Sequence, residues 1–127
     1  MIQTEFVQNI ALIPQSEVSE LPAVVFSTRL LDQDTLQADL QCFCKFDPIF
    51  VVGPSSEQLH DSIDDVLIEA GTLDVVTTWH SDGEDLGDII ALIQAFLVQK
   101  RVPRLFVVLS SEPSDMRLKN AIETSLG

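Results

Sequence analysis

A chain of 127 residues fits one domain, and at 46% apolar and 21% charged it can build a core without metal or disulfide staples. A formal charge of −13, from 20 acids against 7 bases, argues against nucleic acid, whose phosphates call for clustered Lys and Arg. No run reaches the ~18 consecutive apolar residues of a membrane span. Met1-Ile2-Gln3-Thr4-Glu5 shows no basic region ahead of an apolar stretch, so no export signal or membrane contact is expected and a cytoplasmic protein is.

In chain order, residues 1–20 carry Phe6, Val7, Ile10, Leu12 and Ile13, which suit an extra edge strand or a packed arm. Residues 21–127 then read as a single α/β domain. Leu21-Pro22 introduces a first strand, Ala23-Val24-Val25-Phe26. Asp32-Gln33-Asp34 opens a helical pattern through Leu36, Leu40, Phe43 and Cys44. On that helix Cys42 and Cys44 point to nearly opposite sides and cannot bridge, so two free, half-buried thiols in a reducing compartment are expected. Pro48 precedes the second strand, Ile49-Phe50-Val51-Val52, which ends at Gly53-Pro54.

Ser55 with Gln58 has capping-box spacing. The helix behind it places Leu59, Ile63, Val66, Leu67 and Ala70 on one face, and Gly71 stops it. Leu73-Asp74-Val75-Val76-Thr77-Thr78-Trp79 forms a third, β-branched strand closed by His80. Residues 84–101 read as a helix with acids at its start (Glu84, Asp85, Asp88) and Lys100 and Arg101 at its end, each complementing the helix dipole. Its apolar residues (Leu86, Ile89, Ile90, Leu92, Ile93, Phe96, Leu97, Val98) spread over more than one face. The helix therefore either lies deep in the sandwich or turns the region around Ile90 toward a second copy in a homodimer. Leu105-Phe106-Val107-Val108-Leu109 is the fourth strand, and Ser110-Ser111-Glu112-Pro113 opens the last helix.

Strands that are apolar throughout and alternate with helices predict a three-layer α/β/α fold around a mainly parallel four-stranded sheet. The expected architecture is flavodoxin- or Rossmann-like with strand order 2-1-3-4. Ligands of such sheets bind beyond the carboxyl ends of the strands. That edge collects Ser27-Thr28-Arg29, Gly53-Pro54-Ser55-Ser56, Trp79-His80-Ser81-Asp82 and Ser110-Ser111-Glu112. His80 is the candidate catalytic residue: an imidazole can take a proton near neutral pH once Asp82, Glu84 or Asp85 orients it. Equally, Trp79 can cover the sheet edge while His80 only holds a loop. Ser55 and Ser56 offer amides at a helix start, although Pro54 lacks a donor, and no phosphate-binding glycine pattern or nucleophile elbow occurs. His60 and Asp64 are i, i+4 neighbours on a helix and too few for a metal site, so neither metal nor cofactor is expected.

The stretch Val75-Val76-Thr77-Thr78-Trp79-His80, followed by Asp82, Glu84, Leu86 and an apolar helix, resembles a bacterial family of small α/β proteins of unknown function. Gly53-x-x-Ser56 leading to His60-Asp61-Ser62-Ile63-Asp64 is similar to a second stretch of that family, and the likeness spans about residues 21–110. Members tend to carry Trp and Cys near the second strand, where this chain has Phe50 and Ser56. The resemblance implies the fold and groups Trp79 and His80 with His60, Asp61 and Asp64, without supplying a reaction. Two functions are therefore expected: a non-enzymatic, self-associating or protein-binding module, and alternatively a small-ligand or hydrolase-like site around His80 drawing a hydroxyl from Ser27, Ser55 or Ser110. Nucleotide binding at the same edge, through Ser55 and Ser56, is a third.

Overall fold

The computed structural model describes residues 3–7, 21–30, 40–72 and 74–126. Its strands are β1 (Gln3–Val7), β2 (Ala23–Ser27), β3 (Ile49–Val52), β4 (Thr77–His80) and β5 (Arg104–Val108); its helices are α1 (Ser56–Glu69), α2 (Leu86–Gln99) and α3 (Pro113–Leu126). The five strands form one sheet in the order β1-β5-β2-β3-β4, every pair parallel.

Because side chains alternate along a strand, each strand serves both faces. Ala23, Val25, Phe50, Val52, Leu105 and Val107 meet Ile89, Ile93 and Leu97 of α2 and Leu118 and Ile122 of α3. Val24, Phe26, Ile49, Val51, Phe106 and Val108 meet Leu59, Ile63 and Leu67 of α1, with Phe43 and Phe46 beside them. Each aliphatic side chain buried this way contributes about 1.5–3 kcal/mol, so apolar residues on both sides of every inner strand make a sandwich the stable solution. No helix of the described residues is long and apolar enough to cross a membrane.

The sheet differs from expectation in two ways. It has five strands, since residues 3–7 pair with β5, and its order is not 2-1-3-4. The strand at residues 49–52 separates the first and third predicted strands, and the last strand enters on the far side of β2. Both orders satisfy the right-handed crossover rule, and strands apolar on both sides give no clue to which face each helix takes. What separates them is that α1 packs on one face while α2 crosses to the other, returning the chain past β2.

Several boundaries also move. The third predicted strand starts at Thr77 rather than near Leu73, which lies outside the described residues. Ahead of it, the Asp47 carboxylate accepts the Val76 N–H at 3.1 Å and binds Lys100 Nζ at 2.8 Å, taking the place of a strand partner. The helix expected from Asp32 falls on residues 31–39, which are likewise outside. The described end of that stretch is a 3₁₀ helix, Gln41–Lys45, with Phe43 buried and Cys42 and Cys44 free and half-buried. Burial, followed by the nearby Cys42, pushes the Cys44 thiol up from its ordinary pKa.

The Ser55–Gln58 capping box does not form: Ser55 sits in left-handed backbone (φ 58°) with no side-chain bond to the helix. Helix α2 runs two residues shorter than expected at each end. Asp85 is its N-cap, accepting the Asp88 N–H at 3.2 Å. Of the apolar side chains of α2, Ile89, Ile90, Ile93 and Leu97 are buried and Leu86, Leu92 and Phe96 half-buried, leaving Val98 exposed. The breadth of its apolar surface is used inside the sandwich.

Helices α1 and α2 end alike. Thr72 N–H bonds Leu67 O and Gly71 N–H bonds Ile68 O; Val102 N–H bonds Leu97 O and Arg101 N–H bonds Val98 O. In each case the residue after the cap must be left-handed, and at α2 it is Arg101 at φ 54°. Arg101→Gly relieves that strain and is expected to raise stability by about 1 kcal/mol in urea denaturation, with unchanged circular dichroism.

Candidate functional site

At the carboxyl edge, β2 delivers Arg29 on a short 3₁₀ turn (Thr28–Leu30) and β5 delivers Ser110. The guanidinium, with its side chain 11% exposed, pairs with Asp115 Oδ1 at 3.0 Å, Glu112 Oε2 at 2.9 Å and, closest of all, Asp82. Loops after β2, β4 and β5 are thereby tied by one cation. Asp115 is 1% exposed because its spacing with Leu118 and Ile122 turns it into the core face of α3. Burial pushes its pKa up. The Ser110 hydroxyl (2.6 Å), the Ser27 hydroxyl, the Ser110 N–H (2.9 Å) and the Arg29 charge outweigh that and hold the carboxyl below its ordinary range. Arg29 is raised in turn, chiefly by its hydrogen bond to Asp82.

Gly53 follows β3 at φ 112°, where a Cβ would come 2.6 Å from Thr28 Oγ1. The Thr28 hydroxyl donates to Pro54 O at 2.6 Å and the Ser56 N–H donates to Gly53 O at 3.3 Å. Ser56 is buried and Ser55 exposed. The start of α1 therefore closes on the neighbouring loop instead of opening as an amide cradle.

His80 closes β4 and is 3% exposed, on the sheet side that faces α2. Its Nδ1 lies 3.1 Å from Glu84 Oε2 and its Nε2 2.9 Å from Thr78 Oγ1. A carboxylate only accepts, so Nδ1 carries the proton and Nε2 accepts from the threonine hydroxyl. Of the three acids expected beside it, Glu84 is the partner; Asp82 belongs to Arg29 and Asp85 to the start of α2. Of the expected hydroxyls none is hydrogen-bonded to His80: Ser27 and Ser110 serve Asp115, and Ser55 is an exposed turn residue. Thr78 takes their place. A pocket of about 120 Å³ opens here, lined by Arg29, Gly53, His80, Asp82, Glu84 and Arg117 among others. That is below the ~300–1,000 Å³ of sites for drug-sized ligands.

The His60 cluster lies elsewhere. Thr77 and Trp79 project from the opposite side of β4 to Thr78 and His80. There Thr77 Oγ1 donates to Asp64 Oδ1 at 2.7 Å, while His60 Nε2 lies 3.0 Å from the same hydroxyl and 3.3 Å from the Thr77 carbonyl. With that hydroxyl proton committed to Asp64, His60 Nε2 donates, and it joins α1 to β4 instead of accepting a proton from Thr77. The two histidines thus flank one strand from opposite faces and do not share a site. No group of three or more His, Cys, Asp or Glu among the described residues is arranged to hold a metal ion.

The sequence placed Arg29 on this edge without a role and overlooked Asp115 and Thr78. The available signals were that Arg29 is the only base in the first 44 residues, and that Asp115 shares a helical face with Leu118 and Ile122. Compared with known proteins, the chain matches no family model, no curated protein and no solved structure.

Asp115→Ala is expected to cost about 3 kcal/mol at pH 7, because it leaves Arg29 with only its more exposed partners and strands two serine hydroxyls. The Asp115 pKa is depressed on folding, so its stabilisation is complete above the ordinary carboxylate range (about pH 4) and lost as pH falls through the folded value. The gap between wild type and variant in urea denaturation should therefore narrow below pH 4.

Proposed function

We propose that this protein binds a small polar molecule at the carboxyl edge of its sheet, with His80 as the proton acceptor. The carrying observation is the chain Thr78–His80–Glu84: a carboxylate fixes Nδ1–H and leaves the Nε2 lone pair toward a hydroxyl, the tautomer that base catalysis requires. The pocket beside it suits a ligand of few heavy atoms. Its charge favours a neutral one, since Arg29 is spent on three carboxylates and Asp82, Glu84 and Arg117 together border the space with mixed sign. A hydrolase-like reaction fits this arrangement with a water in the pocket as the group that His80 deprotonates. We include kinship with the Thr-Thr-Trp-His proteins in this reading; the motif then has two tasks, Thr77 fastening α1 and His80, held by Thr78, serving the pocket.

The test is hydrolysis of small neutral esters such as p-nitrophenyl acetate by the purified protein. His80→Ala should lower the rate about a hundredfold or more and Glu84→Gln less, whereas His60→Ala should leave it unchanged. A rate that is the same with and without His80, in variants with native circular dichroism, overturns the catalytic reading.

A further inference from the structure

We infer that the open edge of β4 is a docking strand for an extended, basic segment of another protein. Among the described residues, strand β4 is outermost and pairs only with β3. Ile49 N–H bonds Val76 O, and Gly53 N–H bonds His80 O, which fixes the alternation of the ladder. The main-chain groups of Thr78 and His80 therefore turn toward β3, and those of Thr77 and Trp79 turn outward. Such an edge is a template for an added strand, in which main-chain bonds supply affinity and alternate side chains supply specificity. At present the Thr77 carbonyl is covered by His60 Nε2 at 3.3 Å, a long contact that an incoming N–H can replace.

Beside the edge runs a groove between α1 and β4, lined by His60, Leu67, Ile68, Val75 and Thr77. Ile68, which lines it, is 61% exposed, and Trp79, on the same face of β4 as Thr77, is 41% exposed; both are large apolar side chains left in solvent. Together these provide apolar contact next to free main-chain bonds.

Charge decides the occupant. Between Lys45 and Lys100 the sequence contains 11 acids and no Lys or Arg, and this stretch builds β3, α1, β4 and α2. Asp61, Asp64, Asp65 and Glu69 lie on α1, and Asp74 just precedes β4. A second copy would bring the same acids and another −13 charges to the edge, whereas a strand with Lys or Arg at alternate positions would be attracted to it. The fitting partner is thus an extended segment with apolar residues on one side and bases on the other. This surface lies on the opposite side of β4 from His80, so it stands apart from the small-molecule site.

Trp79 is the only tryptophan and reports on the edge directly. Titration of the full chain with an alternating Lys-Val decapeptide should give a saturable change in Trp79 fluorescence that weakens as salt rises. An alternating Glu-Val peptide should bind about tenfold or more weakly. A Lys-Val peptide with N-methylated amides at alternate residues should lose binding, because strand addition needs its N–H groups. A dye-labelled Lys-Val peptide should lose affinity for Ile68→Lys while the hydrolysis tested above is retained. Equal binding of the acidic peptide, full binding of the N-methylated one, or no saturable change overturns the inference. So does a dimer at micromolar concentration in sedimentation that Trp79→Lys abolishes, since a second copy would then hold the edge.

Discussion

The carboxyl edge depends on a single buried carboxylate. Asp115 lies within the hydrophobic face of α3, where an unpaired charge would cost several kcal/mol. Its compensation comes from Arg29 and two serine hydroxyls, carried by chain segments leaving β2 and β5. Those strands are neighbours whose following segments leave toward opposite faces of the sheet, which is where a crevice opens in a parallel α/β sheet. Pairing Arg29 with Asp115 closes this crevice at its base. The same guanidinium then reaches Asp82, which positions the loop after His80 and gives the pocket its wall.

This arrangement explains why the pocket is small and why Arg29 is not free to bind an anion. An arginine at a strand end is a natural anion receptor, but three carboxylates already satisfy it. The helix start that might have supplied amides instead is bonded to Gly53 and lies against Thr28. Beside that closed crevice the imidazole of His80 is held between Glu84 and the Thr78 hydroxyl. On the other side of β4, His60 works as a donor and fastener. Two histidines 20 residues apart in sequence thus meet β4 from opposite sides, because strand geometry sends the adjacent Thr77 and Thr78 to opposite faces.

A second constraint is the distribution of charge. The bases gather at both ends of the sequence while the middle is wholly acidic, and folding puts that middle at one side of the sheet. The basic cluster Lys100, Arg101 and Arg104 does not act as a patch: Lys100 binds Asp47, Arg101 turns the chain after α2, and Arg104 binds Glu5 of the edge strand β1. On the acidic side only Asp47 and Asp82 meet a Lys or Arg among the described residues, so most of its charge is not neutralised by the chain's own bases.

Periodicity and punctuation in the sequence were sufficient for the α/β class, for strands at residues 23–26, 49–52 and 105–109, and for helices starting near Ser56 and Pro113. These follow from local rules: apolar runs between turn residues, helical spacing, and proline or aspartate at helix starts. Strand order was beyond the sequence, because uniformly apolar strands accept a helix on either face. So was the pairing of acids with their partners, because Asp82, Glu84 and Asp85 are adjacent in sequence yet serve Arg29, His80 and the α2 cap in turn. The sequence determined that Thr77, Thr78, Trp79 and His80 would close a strand. Only the tertiary structure decided that the strand lies at the edge of the sheet, and that alternation along it sends Thr77 to α1 on one face and Thr78 and His80 to the other.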